Sequence, residues 1–546
     1  MNTELIKISA NDNIEKYCEA ACLLKDGQVV GIPTETVYGL AGNAYSEDAV
    51  KRIFEAKGRP QDNPLIVHIS EFSEIYDLVS SVPEEAKLLA EKFWPGPLTM
   101  ILPKSDKVPL CVTAGLDTVA VRCPKHPVAN TLIKATGLPL AAPSANLSGK
   151  PSPTKAQHVF NDLNGRVPMI IDGGECDEGV ESTVITLATP VPKLLRPGNI
   201  TLKQLKSVLG DVEVDDAVLN PLKEGERVSS PGMKYKHYSP DARVIVVKGS
   251  YKKFRDYVNH NCDKNTYAMV FKGEGNGINA KIIEYGVGDN YRQLSRALFD
   301  SLRYLDEAGA ERCFVRCPDD TNDDNLAVLN RLLRAAAFEV VDLSRKMLVG
   351  LTGKTGAGKS TISDIFKKNG AYVIDGDKVA RIVLEEDKTL LIRLENAFEG
   401  ILNNDGSLNR KALASKAFSS PEGTNTLNTI LHPAINDYIR NEVVKAFADY
   451  DTIVVDAAAI IESGFADECD VLLTAYAPFD VRKERIIKRD SLSQEDALVR
   501  MNGQKDDDFY LSRADAVINN YPPYDINEEF KRVEKLIENR RNSNEY

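Results

Sequence analysis

The chain has 546 residues, 43% hydrophobic and 27% charged, a composition of ordinary globular domains rather than of disordered or fibrous protein. Its 68 Lys and Arg against 80 Asp and Glu leave a net charge of −12, so a nucleic-acid role would need a local basic patch. A prior of ~150 residues per domain predicts roughly three or four domains. No run approaches the ~18 apolar residues of a membrane span, and the start lacks a basic-then-apolar leader, so a cytoplasmic protein without a membrane partner is expected.

The first predicted strand, 29–32, runs into Pro33-Thr34-Glu35-Thr36-Val37-Tyr38-Gly39-Leu40. Read alone, this stretch is a strand-to-helix turn with Thr34 or Thr36 as N-cap. A helix over 46–55 ends at Lys57-Gly58-Arg59-Pro60, ahead of Asn63-Pro64-Leu65-Ile66-Val67-His68. Lys57 and Arg59 suit either a solvated helix C-terminus or a cationic clamp on a polyphosphate. His68, between two apolar residues on a strand, reads equally as a core histidine or a ligand-binding one. Further along come Trp94-Pro95-Gly96-Pro97-Leu98-Thr99, Val119-Ala120-Val121-Arg122, Ala142-Pro143-Ser144-Ala145-Asn146-Leu147-Ser148-Gly149, Glu181-Ser182-Thr183-Val184-Ile185 and Leu195-Arg196-Pro197-Gly198. Most place one polar or cationic side chain at a strand end beside Pro or Gly. Each is explicable as turn chemistry, but together they lie where α/β sites collect their side chains. Nine cysteines, Cys18, Cys22, Cys313 and Cys317 among them, lack paired Cys-x-x-Cys spacing, which excludes a zinc site. Their odd number and apolar surroundings predict reduced, buried thiols.

In this order and spacing, over residues 25–200, these motifs resemble the threonylcarbamoyl-AMP synthase family. The resemblance implies a twisted open α/β sheet around a concave cavity. It also implies a reaction joining L-threonine, bicarbonate and ATP into threonylcarbamoyl-AMP and pyrophosphate. That chemistry needs no strong protein nucleophile, because the threonine carbamate itself attacks the α-phosphate; cationic clamps and orientation suffice. By the resemblance, Lys57, Arg59, Asn63, Ser144, Asn146, Arg196 and His237 would hold ATP, with Lys57 and Arg59 catalytic, and Thr34, His68, Arg122 and Ser182 would hold threonine and its carbamate. The product would pass to tRNA-modification enzymes, tRNA binding not being required for the reaction.

Residues 201–222 have helix-like spacing and an acidic stretch at 211–216, most simply a solvated connection. Proline near both ends of 230–240 predicts extended backbone. Tyr235 and Tyr238, interleaved with Lys234, Lys236 and His237, could make a nucleic-acid strip, although one short strip in an acidic chain is little to rest on. The same segment resembles the interdomain linker of the long synthase form, implying a lid that closes on ATP. Strands over 244–247, 267–271 and 313–316, alternating with helices over 251–259, 291–308 and 325–337, predict a small Rossmann-like α/β domain ending at 338–343. Gly273, Gly275 and Gly277 follow a strand but precede no predicted helix, which excludes a dinucleotide site. The long synthase form has a domain of this type here, and no catalytic constellation is visible in it.

Gly353-Lys354-Thr355-Gly356-Ala357-Gly358-Lys359-Ser360-Thr361 is a phosphate-binding loop between an apolar strand over 347–351 and a helix over 360–368. Strand, glycine loop and helix are the context the motif needs, since backbone N–H groups must converge on phosphate oxygens. Asp375 and Asp377 close a second strand; either a capping pair or a base within reach of an acceptor hydroxyl fits. Asp405-Gly406-Ser407-Leu408-Asn409-Arg410 predicts a turn and helix, His432-Pro433 a helix start, and 453–456 a third strand, with Glu462 beyond it. Arg482, Arg485 and Arg489 share a helix face, solvated or acting as an ATP-closing lid. From about 346 onward these motifs resemble dephospho-CoA kinase, which implies phosphoryl transfer from ATP to the ribose 3′-hydroxyl of dephospho-CoA. The resemblance implies that Gly356, Ala357, Gly358, Lys359, Ser360, Thr361, Arg485 and Arg489 bind ATP. Asp375, Asp377, Ser360 and Glu462 would serve the acceptor and Mg²⁺, with Lys359 and Asp377 catalytic and the two aspartates exchangeable in role. Two departures are Lys354-Thr355, where the family usually has Gly-Ile, and 458–461 (Ala-Ala-Ile-Ile), where it usually has Pro-Leu-Leu ahead of the acidic residue.

The expected architecture is α/β throughout: a twisted open synthase domain (1–205), a linker or lid (206–241), a small Rossmann-like domain (242–345) and a P-loop kinase domain with a parallel sheet (346–546). The alternative is an RNA-binding or ribosome-assembly module fused to another small-molecule P-loop kinase.

Overall fold

The computed structural model describes residues 2–220, 238–403 and 405–543. The chain divides into two compact units, Met1–Tyr251 with Asn261–Val341, and Lys252–His260 with Asp342–Tyr546. The 230–237 part of the expected lid, His237 included, lies outside the described residues. Among those described, no helix is long and apolar enough to cross a membrane.

The frame of the first unit is a mixed eleven-stranded sheet. Four adjacent pairings set one row of side chains across it: His68 stands opposite Arg122, Arg122 opposite Thr99, Thr99 opposite Val184, and Val184 opposite Arg196. Residues far apart in sequence thus reach one place because strand register fixes which pairs face each other.

The helix Glu47–Lys57 shows how local signals aim two cations. Ser46 caps its start by accepting from the Ala49 N–H at 3.2 Å, and Glu47 and Asp48 suit the positive end of the dipole. Ile53 and Phe54, 0% and 2% exposed, anchor it on the sheet; each such burial contributes about 1.5–3 kcal/mol. Gly58, at φ 60, ends the helix in a left-handed conformation that residues with a Cβ adopt reluctantly. Lys57 and Arg59 therefore leave the helix end on either side of a sharp turn.

Two expectations for this unit are corrected. No helix follows Pro33; the chain turns back as the strand Gly39–Asn43, antiparallel to Val30–Ile32. Thr34 closes that turn, its hydroxyl bonded to the Val37 carbonyl at 2.5 Å and accepting from the Val37 N–H at 3.2 Å, a local side-chain bond that competes with helix formation. The acidic stretch is not only a connection, because Glu213–Val214 adds a parallel edge strand beside Lys193 and Leu194.

A second, five-stranded sheet completes this unit, with Lys281–Glu284, Thr266–Val270, Arg312–Arg316 and Arg243–Lys248 parallel. Turns around Gly273 to Gly277 lead to a strand, not a helix. Its apolar core takes in Val37, Val180 and Tyr238 alongside Leu298, Phe299 and Leu332.

The second unit holds a parallel five-stranded sheet with Met347–Thr352 at its centre, between Thr452–Asp456 and Val471–Tyr476. The chain leaves the central strand to one side and later returns to the other. This is the switch point at which open α/β sheets bind ligands, beyond the strand C-termini. His432-Pro433 does not start a helix: it lies inside the 26-residue Pro421–Ala446 helix. Proline removes one backbone donor there, while Leu427, Ile439 and Val443 stay buried and hold both halves against the core. Among the described residues all nine cysteines are free, but Cys18 and Cys22 are exposed rather than buried.

Candidate active sites

A concave cavity in the first unit is lined by Thr34, Arg59, His68, Arg122, Ser144, Asn146, Ser182 and Arg196, eight of the residues expected there. Arg122 is buried and ion-paired to Glu35 at 2.7 Å, while also donating to the Thr36 hydroxyl at 2.9 Å. Burial raises the Glu35 carboxyl, but the Arg122 charge outweighs it and holds the group below its ordinary value. Arg196 donates to the Ser182 carbonyl at 3.0 Å and hydroxyl at 3.1 Å, and Ser182 shares a 2.7 Å hydrogen bond with Thr99. The cavity wall is thus a chain of fixed dipoles and two buried guanidinium groups.

Lys57 and Asn63 are not brought to the lining. The Lys57 ammonium is buried behind the wall, donating to the backbone carbonyls of Ser144 and Asn146 (2.7 Å to the latter). Burial first, then the Arg59 charge, pushes its pKa well down. Lys57 therefore sets the loop that carries Ser144 and Asn146, whose own side chains meet at 2.6 Å. Asn63 is fully buried, and its carbonyl accepts from Arg59 at 3.4 Å. Glu35, Thr36, Glu181 and Tyr238 also belong to the site region, and none of them is among the expected substrate-binding residues. The first three sit inside recognised motifs, Glu35 and Glu181 next to a chosen residue and Thr36 two positions from one.

His68 is buried beside Arg122. Burial first, then that positive charge, pushes its pKa down to about 3 from 6.5. The native imidazole stays neutral while the unfolded one takes a proton near 6.5, so stability is lost as pH falls through that window and is unaffected above it. The pH–rate profile of the first unit is accordingly expected to contain no limb near 6.5 that vanishes in His68→Gln. Such a limb would mean that this histidine titrates in the site.

In the second unit the phosphate loop leaves the buried central strand with Gly353 at φ 139, and a Cβ there would lie 2.4 Å from the Ala475 carbonyl oxygen. Only glycine fits. Gly356 and Gly358, at φ 83 and 91, bend the loop into the helix Lys359–Lys368. Lys359 reaches back to the Gly353 carbonyl at 3.3 Å, across the span a phosphate would occupy. Arg485 donates to the Gly356 carbonyl at 3.3 Å and the Asn520 carbonyl at 2.8 Å, which joins the loop to its helix. Arg489 does not reach the loop; it pairs with Asp490 at 2.8 Å. Of the unusual residues, Lys354 is ion-paired to Asp507 at 2.7 Å, and Ile460 is buried in the core.

The two aspartates separate in role. Asp375 is the N-cap of Gly376–Glu386, accepting from the Lys378 N–H at 3.1 Å; Asp377 is exposed in the first turn. Asp456, missed in sequence although it ends a predicted strand, stands opposite Asp375 and accepts from Ser363 at 2.7 Å. Burial first, with like charge from Asp375 and Asp377, raises its pKa against the pull of Lys359. A separate cleft of about 960 Å³ is lined by His432, Glu462, Lys505, Phe509 and Arg513 among others, near the upper end of the ~300–1,000 Å³ of small-molecule sites.

The first unit is thus an α/β fold around a cation-bearing cavity, and the second a P-loop kinase fold. Family models match residues 22–198 ("Telomere recombination"), 200–337 ("Threonylcarbamoyl-AMP synthase, C-terminal domain") and 347–523 ("Dephospho-CoA kinase"). The threonylcarbamoyl-AMP synthase of Pyrococcus abyssi is 46% identical over 346 residues, covering 62% of this chain and 99% of that protein. The dephospho-CoA kinase of Corynebacterium jeikeium is 39% identical over 174 residues, 32% of this chain and 89% of that protein. A solved structure of P. abyssi Sua5 complexed with L-threonine superposes with a TM-score of 0.58 at 43% identity, covering 62% of this chain and 99% of that one. The chain belongs to the threonylcarbamoyl-AMP synthase family over its first part and to the dephospho-CoA kinase family over its last, joining the two enzymes in one polypeptide.

Proposed function

We propose that the first unit makes threonylcarbamoyl-AMP and pyrophosphate from L-threonine, bicarbonate and ATP, and that the second phosphorylates the ribose 3′-hydroxyl of dephospho-CoA. The observation that carries the first reading is the convergence of eight expected side chains on one cavity. Threonine, its amine carboxylated by bicarbonate to a carbamate with loss of water, would lie against Thr34, His68, Arg122 and Ser182. Its carbamate oxygen attacks the α-phosphorus and pyrophosphate leaves. Arg59 and Arg196 offset the charge that builds on the phosphoryl oxygens, with Ser144 and Asn146 orienting the nucleotide. Neutral His68 is a hydrogen-bonding wall rather than an acid.

In the second unit ATP would sit on the phosphate loop with Lys359 toward its β- and γ-phosphates, and Asp377 would accept the proton of the attacking hydroxyl. Dephospho-CoA would occupy the cleft containing His432, Glu462 and Arg513. The Ser360 hydroxyl and the Asp456 carboxylate, which Ser363 orients, are hard oxygen donors of the kind Mg²⁺ takes while keeping several waters. Bound there, Mg²⁺ would supply neutralisation of phosphate charge. We place both activities in the cytoplasm, the first supplying enzymes that modify tRNA.

The nucleotide products test this reading. Pyrophosphate release is expected only when threonine and bicarbonate are both present, and ADP is expected to form one-for-one with dephospho-CoA consumed. Pyrophosphate release stimulated by RNA instead of threonine would favour an RNA-dependent activity.

A further inference from the structure

The small Rossmann-like domain over 242–345, the middle domain of the chain, bears no catalytic constellation among the described residues, yet its Arg331 reaches the synthase cavity wall. On its helix Leu326–Ala335, Arg331 is 0% exposed despite carrying a full charge. Its guanidinium donates to the Glu181 carboxylate at 3.0 Å, to the Glu181 carbonyl at 3.4 Å, to the Asn330 side chain at 3.2 Å and to the Pro197 carbonyl. Glu181 immediately precedes Ser182, and Pro197 immediately follows Arg196. One planar cation therefore grips the two strand ends that the Arg196–Ser182 bonds, at 3.0 and 3.1 Å, join inside the cavity.

The surroundings leave this grip little play. A Cβ on Gly179 would lie 2.3 Å from the Arg296 backbone, so the segment entering Glu181 lies directly on a middle-domain helix. Val180 is buried in the middle domain's own core, as is Val37 next to Thr36. Glu181 is held a second time by the Ser152 hydroxyl. A buried ion pair adds little stability over well-packed apolar residues, because desolvation of both charges offsets their attraction. What a fixed five-donor fork does supply is geometry, and a lysine ammonium cannot reproduce it.

We propose that Arg331 is a positioning residue of the synthase reaction: through Glu181 and Pro197 it holds Ser182 and Arg196 in the geometry the substrates require. The inference rests on the proposed synthase activity of the first unit.

The test compares full-length wild type, Arg331→Gln, Arg331→Lys and Asp300→Asn. Asp300 supplies a control on the same face, because it ties a middle-domain helix to Lys155 at 2.8 Å without touching Glu181 or Pro197. Melting curves fix an assay temperature at which every variant retained is folded; Arg331→Lys, which keeps the charge, serves if Arg331→Gln does not fold. At that temperature Arg331→Lys is expected to lose on the order of 10–100-fold in kcat/KM for threonine, the scale of a small misplacement of reacting groups. Asp300→Asn is expected to melt earlier with unchanged kcat/KM. Wild-type kcat/KM in folded Arg331→Lys, or equal losses in Arg331→Lys and Asp300→Asn, would overturn the proposal. A wild-type chain that makes no adenylate would overturn the synthase reading, and this proposal with it.

Discussion

Asp377→Asn is expected to lower dephospho-CoA phosphorylation by ~10²–10⁴-fold while leaving ATP affinity nearly intact, because the amide keeps the shape but cannot take the proton. The geometry sharpens this result. Asp375, not Asp377, caps the helix Gly376–Glu386, so losing the Asp377 charge removes no cap bond. Loss of a cap would itself cost only ~1 kcal/mol of stability. Asp375→Asn should likewise melt normally, since asparagine caps as well as aspartate does. Lys359→Ala behaves differently: it loses a cation aimed across the loop, and ATP affinity and turnover are expected to fall together. Turnover and ATP titration for the three variants, beside melting curves, make the comparison. Normal turnover in folded Asp377→Asn would return the base to Asp375 or Asp456.

Arg59→Ala is expected to cut threonylcarbamoyl-AMP formation by at least ~100-fold, the usual cost of a lost electrostatic donor, and Lys57→Ala by ~100-fold or more through the loop that it positions, with kinase turnover unchanged in both. They should do so by different routes. Arg59 lines the cavity, so its variant should melt like wild type. Lys57 is buried behind the wall, bonded to the carbonyls of Ser144 and Asn146. Removing it leaves buried acceptors unsatisfied, and the Lys57→Ala variant should also melt early. Adenylate formation at the wild-type rate in both variants would mean that this cavity is not the site of the reaction.

What could be read from sequence follows the range of the interactions involved. The phosphate loop was legible because its glycines answer to local sterics, such as the 2.4 Å approach at Gly353, which no other residue satisfies. The helix before Lys57 was legible for the same reason, its cap and its terminating glycine being neighbours in sequence. The turn at Thr34 was not. A threonine hydroxyl serves equally as a helix cap or as the closure of a tight turn, and the deciding partner, the strand Gly39–Asn43 with its bridge to Ser144, is long-range. Pro433 misled because proline usually opens a helix, whereas burial of residues on both sides carries this helix through it. Glu35 and Glu181 stand inside the motifs with no role readable from their neighbours in sequence. Each proves to neutralise a buried arginine, Arg122 and Arg331, and neither pairing is visible without the fold.

The most direct measurement of the two-enzyme account supplies one sample of the full-length chain with ATP, threonine, ¹³C-bicarbonate and dephospho-CoA, and follows the products by mass spectrometry. The account predicts threonylcarbamoyl-AMP carrying the ¹³C label and, from the same sample, CoA formed by gain of one phosphoryl group. An unlabelled adenylate, or the absence of either product from folded protein, would contradict it.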